Sequence, residues 1–157
     1  MKERIIDRIA KMWYSFARWM CRFFCVAFFQ YRVHGKKNIP TKGPVVLISN
    51  HQSFLDPLFC GMPLHRTMSF VARESLFKNW FFAKLIASVG TIPLKRNQSD
   101  LKAIKAIIKK LKSGKGVCLF PEGTRSEDGR IADFKPGFGL LCRKSNACLV
   151  PVLIEGG

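Results

Sequence analysis

A histidine and an aspartate five residues apart, His51 and Asp56, stand in the run NHQSFLD at residues 50–56, directly after the apolar stretch VVLIS. A pair spaced i, i+5 does not share a helix face, so the two side chains meet only where the chain turns between them. Asp56-Pro57 predicts that turn, with Asp56 as the N-cap and Pro57 as the first helical residue. A carboxylate on one imidazole nitrogen fixes the tautomer and leaves the other nitrogen as a base for a bound hydroxyl. General base catalysis of that kind is worth roughly 100-fold to 10,000-fold. Alone, the spacing is weak, because such pairs arise by chance and a single histidine beside a strand is more often structural.

A second polar cluster, FPEGTRS at residues 120–126, follows the apolar run GVCL. Gly123 lets the backbone turn sharply, Thr124 adds a hydroxyl, and Arg125 offers a planar fork of donors that suits a pair of phosphate oxygens. Glu122 is expected to hold that arginine or a substrate hydroxyl. Taken by itself, this segment reads equally well as a turn with an exposed ion pair. Lys95-Arg96, after GTIPL at residues 90–94, brings two more cations to the end of another apolar run.

The elements that must position these clusters are an alternating series. Continuously apolar runs at residues 45–49, 69–72, 116–120 and 149–154 read as buried strands, and residues 90–94 as an edge strand because of Pro93. Helices are expected near residues 78–88 and 137–145. The clearest follows Ser99 as N-cap, presents Leu101, Ile104, Ile107, Ile108 and Leu111 to a core, and stops at Gly114. Alternation of this kind predicts an α/β domain with a mostly parallel sheet flanked by helices. All three polar clusters then fall just past the carboxyl ends of strands, where open α/β sheets bind ligands.

In order and spacing, NHQSFLD, GTIPLKR, FPEGTRS and VPVLI resemble the four sequence blocks of the bacterial 1-acyl-sn-glycerol-3-phosphate (lysophosphatidic acid) acyltransferase family, over about residues 33–155. The resemblance implies the glycerolipid acyltransferase fold, with His51 and Asp56 as the catalytic dyad. It implies that Glu122, Gly123, Thr124 and Arg125 bind the glycerol phosphate, together with Arg96 and, less directly, Lys95. The reaction it implies moves a fatty acyl group from acyl-CoA or an acyl carrier protein to the sn-2 hydroxyl of lysophosphatidic acid, giving phosphatidic acid. Backbone amides near Gly123 or after His51 are expected to hold the oxyanion. No covalent intermediate, cofactor or metal is implied. Glycerol 3-phosphate, another lysophospholipid or a lyso-aminolipid as acceptor stays open, as does a non-catalytic, basic membrane-binding protein.

Composition bears on partners and compartment. A formal charge of +17 calls for an anionic partner. A nucleic acid is disfavoured, because the aromatics lie in apolar helical stretches and are not interleaved with cations on a strand. Residues 1–32 form an amphipathic helical segment expected in the membrane interface, and residues 33–157 the acyltransferase domain. In the first segment Arg4, Arg8, Lys11, Arg18 and Arg22 share one face, opposite Ile5, Ile9, Met12, Trp13, Phe16, Trp19, Met20, Phe23 and Ala27. Packing of that face into a core is the alternative, since periodicity does not say what it meets. The longest charge-free run there, residues 23–31, falls short of the roughly 20 residues needed to span a bilayer. Cys21, Cys25, Cys60, Cys118, Cys142 and Cys148 form no CxxC pair, which fits a reducing compartment and argues against a zinc site. The expected location is peripheral, on the cytoplasmic face of the inner membrane. The chain stops at Gly156-Gly157 directly after a strand, so the domain is expected to be incomplete at its C-terminal end.

Overall fold

The computed structural model describes residues 2–95, 101–135 and 137–156. Five strands, β1 (Val45–Ser49), β2 (Met68–Arg73), β3 (Ile92–Leu94), β4 (Gly116–Leu119) and β5 (Cys148–Val152), form one sheet in the order β3-β2-β4-β1-β5. Every pairing is parallel. The helices are α1 (Lys2–Phe29), α2 (Asp56–Gly61), α3 (Trp80–Ser88), α4 (Leu101–Lys112) and α5 (Gly137–Ser145). The expected α/β architecture is therefore observed, with β3 and its Pro93 on an edge. The fifth strand is set slightly earlier than its apolar run, beginning at Cys148 and ending at Val152.

The order of the strands decides where a ligand can go. From β1 the chain crosses to β2 and then to β3 in one direction, while from β3 to β4 and from β4 to β5 it crosses in the other. Crossovers of one hand place helices α2 and α3 on one face and α4 and α5 on the other. Alternate strand residues divide accordingly. Val45, Leu47, Phe70 and Cys118 pack with Cys60 and Leu64 on the α2 face, and Val46, Val117 and Leu119 pack with Ala103, Ile107, Leu111 and Leu141 on the other. Between β4 and β1 the direction of crossing reverses, and the two chains leave for opposite faces, opening a crevice at their carboxyl ends.

Helix α4 differs in detail from its expected face. The buried stripe is Ala103, Ile107 and Leu111, while Leu101 is 64% exposed. Ile104 and Ile108 pack partly against the same core. Ser99 lies outside the described residues.

Helix α1 meets the domain through its more polar side. Tyr14, Arg18, Cys21 and Cys25 recur at helical spacing. The Tyr14 hydroxyl accepts from Met68 N at 3.1 Å, Arg18 donates to Leu64 O, and Cys25 is buried. Just beyond the helix, Tyr31 donates to Phe59 O at 2.6 Å and stacks on the Phe59 ring. The wide apolar face, from Ile5 and Ile9 through Met12, Phe16, Trp19 and Phe23, is left exposed. No helix among the described residues is long and apolar enough to cross a membrane.

Candidate active site

The loops after β1 and β4 flank the crevice at the reversal point. Directly after β1, His51 Nδ1 and Asp56 Oδ2 lie 2.8 Å apart. The same carboxylate oxygen accepts from Gln52 N at 2.6 Å and Ser53 N at 2.8 Å. Asp56 therefore folds the chain back on itself and is the reason an i, i+5 pair can meet. This corrects its expected role as a helix cap: α2 begins at Asp56, but the carboxylate serves the preceding loop and caps nothing in the helix.

The side chain of Asp56 is fully buried, while that of His51 is 19% exposed. Burial alone would push the Asp56 carboxyl up; the bonds from His51, Ser53 N and Gln52 N together outweigh it and hold the carboxyl below its ordinary value. An ionised Asp56 accepts, so Nδ1 of His51 carries the proton and the lone pair sits on Nε2. Phe120, at the end of β4, stacks on the imidazole with 4.2 Å between ring centres. The histidine is thus fixed by a carboxylate at its edge and an aromatic face beneath it.

Glu122 has partners that its sequence did not announce. It is buried, its Oε1 accepts from His51 N at 2.9 Å, and its Oε2 accepts from Ala132 N at 3.0 Å. Both oxygens accept from backbone amides, and among the described residues no ion pair joins Glu122 to Arg125. Glu122 pins the histidine loop to the FPEGTRS loop and to the segment beyond. Ser126 N, donating to His51 O at 2.7 Å, closes the same junction. Gly123 turns with φ of 71°, and a side-chain carbon there would come within 2.7 Å of Lys135 Nζ.

Arg125 is exposed, with its guanidinium carbon 3.7 Å from the centre of the Phe54 ring, so the two loops meet here as well. Thr124 Oγ1 faces Arg73 Nη2 at 3.4 Å. Lys95 is exposed just after β3, and Arg96 lies outside the described residues. Two cations beside this loop, Arg73 at the end of β2 and Lys135, escaped the sequence reading. Arg73 carries a usable signal, since it closes a strand whose carboxyl end must share an edge with the other clusters.

The expected oxyanion donors are mostly occupied. Gln52 N and Ser53 N serve Asp56, His51 N serves Glu122, and Gly123 N donates to Phe120 O at 3.0 Å. Asn50 closes the far side of the site: its Nδ2 donates to Ile154 O at 2.9 Å and its Oδ1 accepts from Ile154 N at 2.8 Å. The VPVLI block is thereby tied to the histidine loop. Among the described residues no group of His, Cys, Asp and Glu is arranged to hold a metal ion.

Comparison with known proteins places the chain in a family. An acyltransferase family model matches residues 30–155. The chain is 33% identical over 151 residues to the chloroplastic 1-acyl-sn-glycerol-3-phosphate acyltransferase of Arabidopsis thaliana, covering 94% of this chain and 40% of the relative. It is also 33% identical over 153 residues to the 1-acyl-sn-glycerol-3-phosphate acyltransferase of Pseudomonas aeruginosa, covering 95% of this chain and 58% of that one. The crystal structure of the 1-acyl-sn-glycerophosphate (LPA) acyltransferase of Thermotoga maritima superposes with a TM-score of 0.59 at 30% identity, over 75% of this chain and 46% of that one. The chain thus spans about half the length of the relatives it matches. With a matching family model across most of its length and the His51–Asp56 pair assembled at the reversal point of a parallel sheet, the chain belongs to the acyltransferase family.

Proposed function

We propose that this chain carries the catalytic centre of a lysophosphatidic acid acyltransferase, with His51 as general base, Asp56 as its partner and Arg125 as the principal phosphate ligand. The observation that carries the proposal is the His51–Asp56 hydrogen bond in the same crevice as the FPEGTRS loop. The lysolipid phosphate lies against Arg125, with Arg73, Lys135 and Lys95 adding positive field around the loop. Arg96 joins them on the strength of the sequence resemblance. The Gly123–Thr124 turn shapes the cradle, and Glu122 keeps its distance to His51 fixed.

With the phosphate held, the free sn-2 hydroxyl reaches His51. Nε2 takes its proton as the oxygen attacks the thioester carbonyl of acyl-CoA or an acyl carrier protein, and the Asp56 carboxylate stabilises the imidazolium that forms. Thr124 N and Arg125 N, which donate to no group among the described residues, are assigned to the oxyanion. Collapse of the tetrahedral intermediate expels the thiolate, which takes the proton from His51, and phosphatidic acid departs. Residues 1–32 serve as the membrane-interface segment and residues 33–157 as the acyltransferase domain. The exposed apolar face of α1 rests in the headgroup region on the cytoplasmic side of the membrane, and anionic lipids attract the +17 chain.

The test is transfer of labelled acyl groups from acyl-CoA and from acyl carrier protein, with lysophosphatidic acid or glycerol 3-phosphate as acceptor in vesicles. Labelled phosphatidic acid is the expected product. Transfer to glycerol 3-phosphate alone would overturn the acceptor assignment.

A further inference from the structure

Helix α3 is apolar at seven of nine positions (WFFAKLIAS), yet none of its residues is buried. An apolar helix of a soluble domain turns such residues into a core. Here Trp80 is 70% exposed and Phe81 67%, with Phe82 and Leu85 also exposed. The helix is joined to α1 by Trp13 Nε1 donating to Ser88 Oγ at 3.0 Å, so its surface continues the exposed apolar face of α1.

Its charges and its direction say what this surface meets. The only charged residues between positions 78 and 88 are Lys78 and Lys84, and Lys84 Nζ lies 5.1 Å from the centre of the Trp80 ring. Exposed tryptophan and phenylalanine beside lysines, with no carboxylate on the helix, match the boundary between anionic headgroups and acyl chains. Apolar residues on several sides of the helix suit a fluid phase better than a partner with a fixed relief. As the crossover from β2 to β3, α3 starts at the carboxyl edge of the sheet. Trp80 therefore lies at the end of the domain where Arg73 meets Thr124 and where His51 stands.

We propose that Trp80 and Phe81 are a second membrane-inserting element, which seats the mouth of the active site on an anionic bilayer. The proposal rests on the reading that α1 lies in the membrane interface. Helix α1 supplies most of the binding, and the start of α3 sets the tilt that presents the crevice to lipid in the bilayer plane.

The test uses the full chain and vesicles of phosphatidylglycerol and phosphatidylcholine brominated near the top of the acyl chains. Trp13, Trp19 and Trp80 are the only tryptophans, so the quenching lost on Trp80→Phe reports Trp80 with the Trp13–Ser88 hydrogen bond left in place. Quenching of Trp80 fluorescence is expected. A chain that cosediments with vesicles but whose Trp80 is not quenched overturns the proposal while leaving the α1 reading intact. Failure of the parent chain to cosediment overturns both. As a second measurement, Trp80→Gln with Phe81→Gln, shown to be folded by circular dichroism, should bind these vesicles at least about tenfold more weakly. Unchanged vesicle binding overturns the proposal, and if transfer from acyl carrier protein then falls selectively, the surface is a protein-docking site instead.

Discussion

Asp56→Asn is the most informative single change in the dyad. One carboxylate oxygen accepts from His51 Nδ1, Gln52 N and Ser53 N. In the asparagine variant the two backbone amides would clash with an NH2 group, so they force the carbonyl oxygen into that position. The tautomer of His51 is then retained, and what disappears is the charge. Opposite unit charges about 4 Å apart at an effective dielectric constant of about 20 attract by about 4 kcal/mol. With His51 as the proposed base, that attraction is felt fully only when the ring becomes an imidazolium in the transition state. The loss of kcat should be about 100-fold to 1,000-fold, with KM for the lysolipid nearly unchanged.

Stability falls as well. Three charge-assisted hydrogen bonds become neutral at a cost of about 1 kcal/mol each, and the new amide NH2 takes the buried place of Asp56 Oδ1, which has no partner, for a further 1–3 kcal/mol or so. The melting temperature should drop by roughly 10 °C or more. Because the folded state holds the Asp56 carboxyl below its ordinary value, its contribution is complete above the unfolded-state value of about 3.9 and is lost as pH falls through the folded one. The gap in stability between parent and variant should therefore narrow in acid. Initial rates measured well below both melting temperatures, with urea titrations at neutral and acid pH, check these points. A variant within threefold of the parent kcat would rule out stabilisation of the His51 imidazolium by the Asp56 charge.

Glu122→Gln should lower kcat by at least about tenfold with little change in KM, because one amide hydrogen replaces an acceptor facing a buried backbone N–H; steady-state rates at varied lysolipid decide it. Arg125→Lys keeps the charge but loses the planar fork and its contact with Phe54. It should chiefly raise KM for the lysolipid, and unchanged kcat and KM together would overturn the proposed role of Arg125 as phosphate ligand. Leu111→Ala should cost about 2–5 kcal/mol in urea unfolding, whereas Leu101→Ala should stay within about 0.5 kcal/mol, since only Leu111 is buried.

Much of this was legible in the sequence, and the exceptions have physical causes. The apolar runs at residues 45–49 and 116–119 are buried on both faces of a parallel sheet, so their composition alone marks them. The period of α4 named the helix but not its deepest stripe: Ala103 faces the core at the spacing of Ile107 and Leu111, where a small side chain gives no strong signal. His51 and Asp56 were found because both carry chemistry. The link that Glu122 makes between loops was not legible because its partners are backbone amides, which every residue except proline possesses. Arg73 meets Thr124 only through the strand order, in which β2 pairs with β4. The apolar face of α1 was evident from periodicity, but its outward direction follows from Tyr14, Arg18 and Cys25, which bind the domain on the other side.

The proposed role of His51 as base is tested by comparing this chain with its His51→Ala form in labelled acyl transfer to lysophosphatidic acid, with circular dichroism confirming that both are folded. Phosphatidic acid is expected from the parent, and at least about a hundredfold less from the variant. Comparable turnover by the folded variant would contradict His51 as the base.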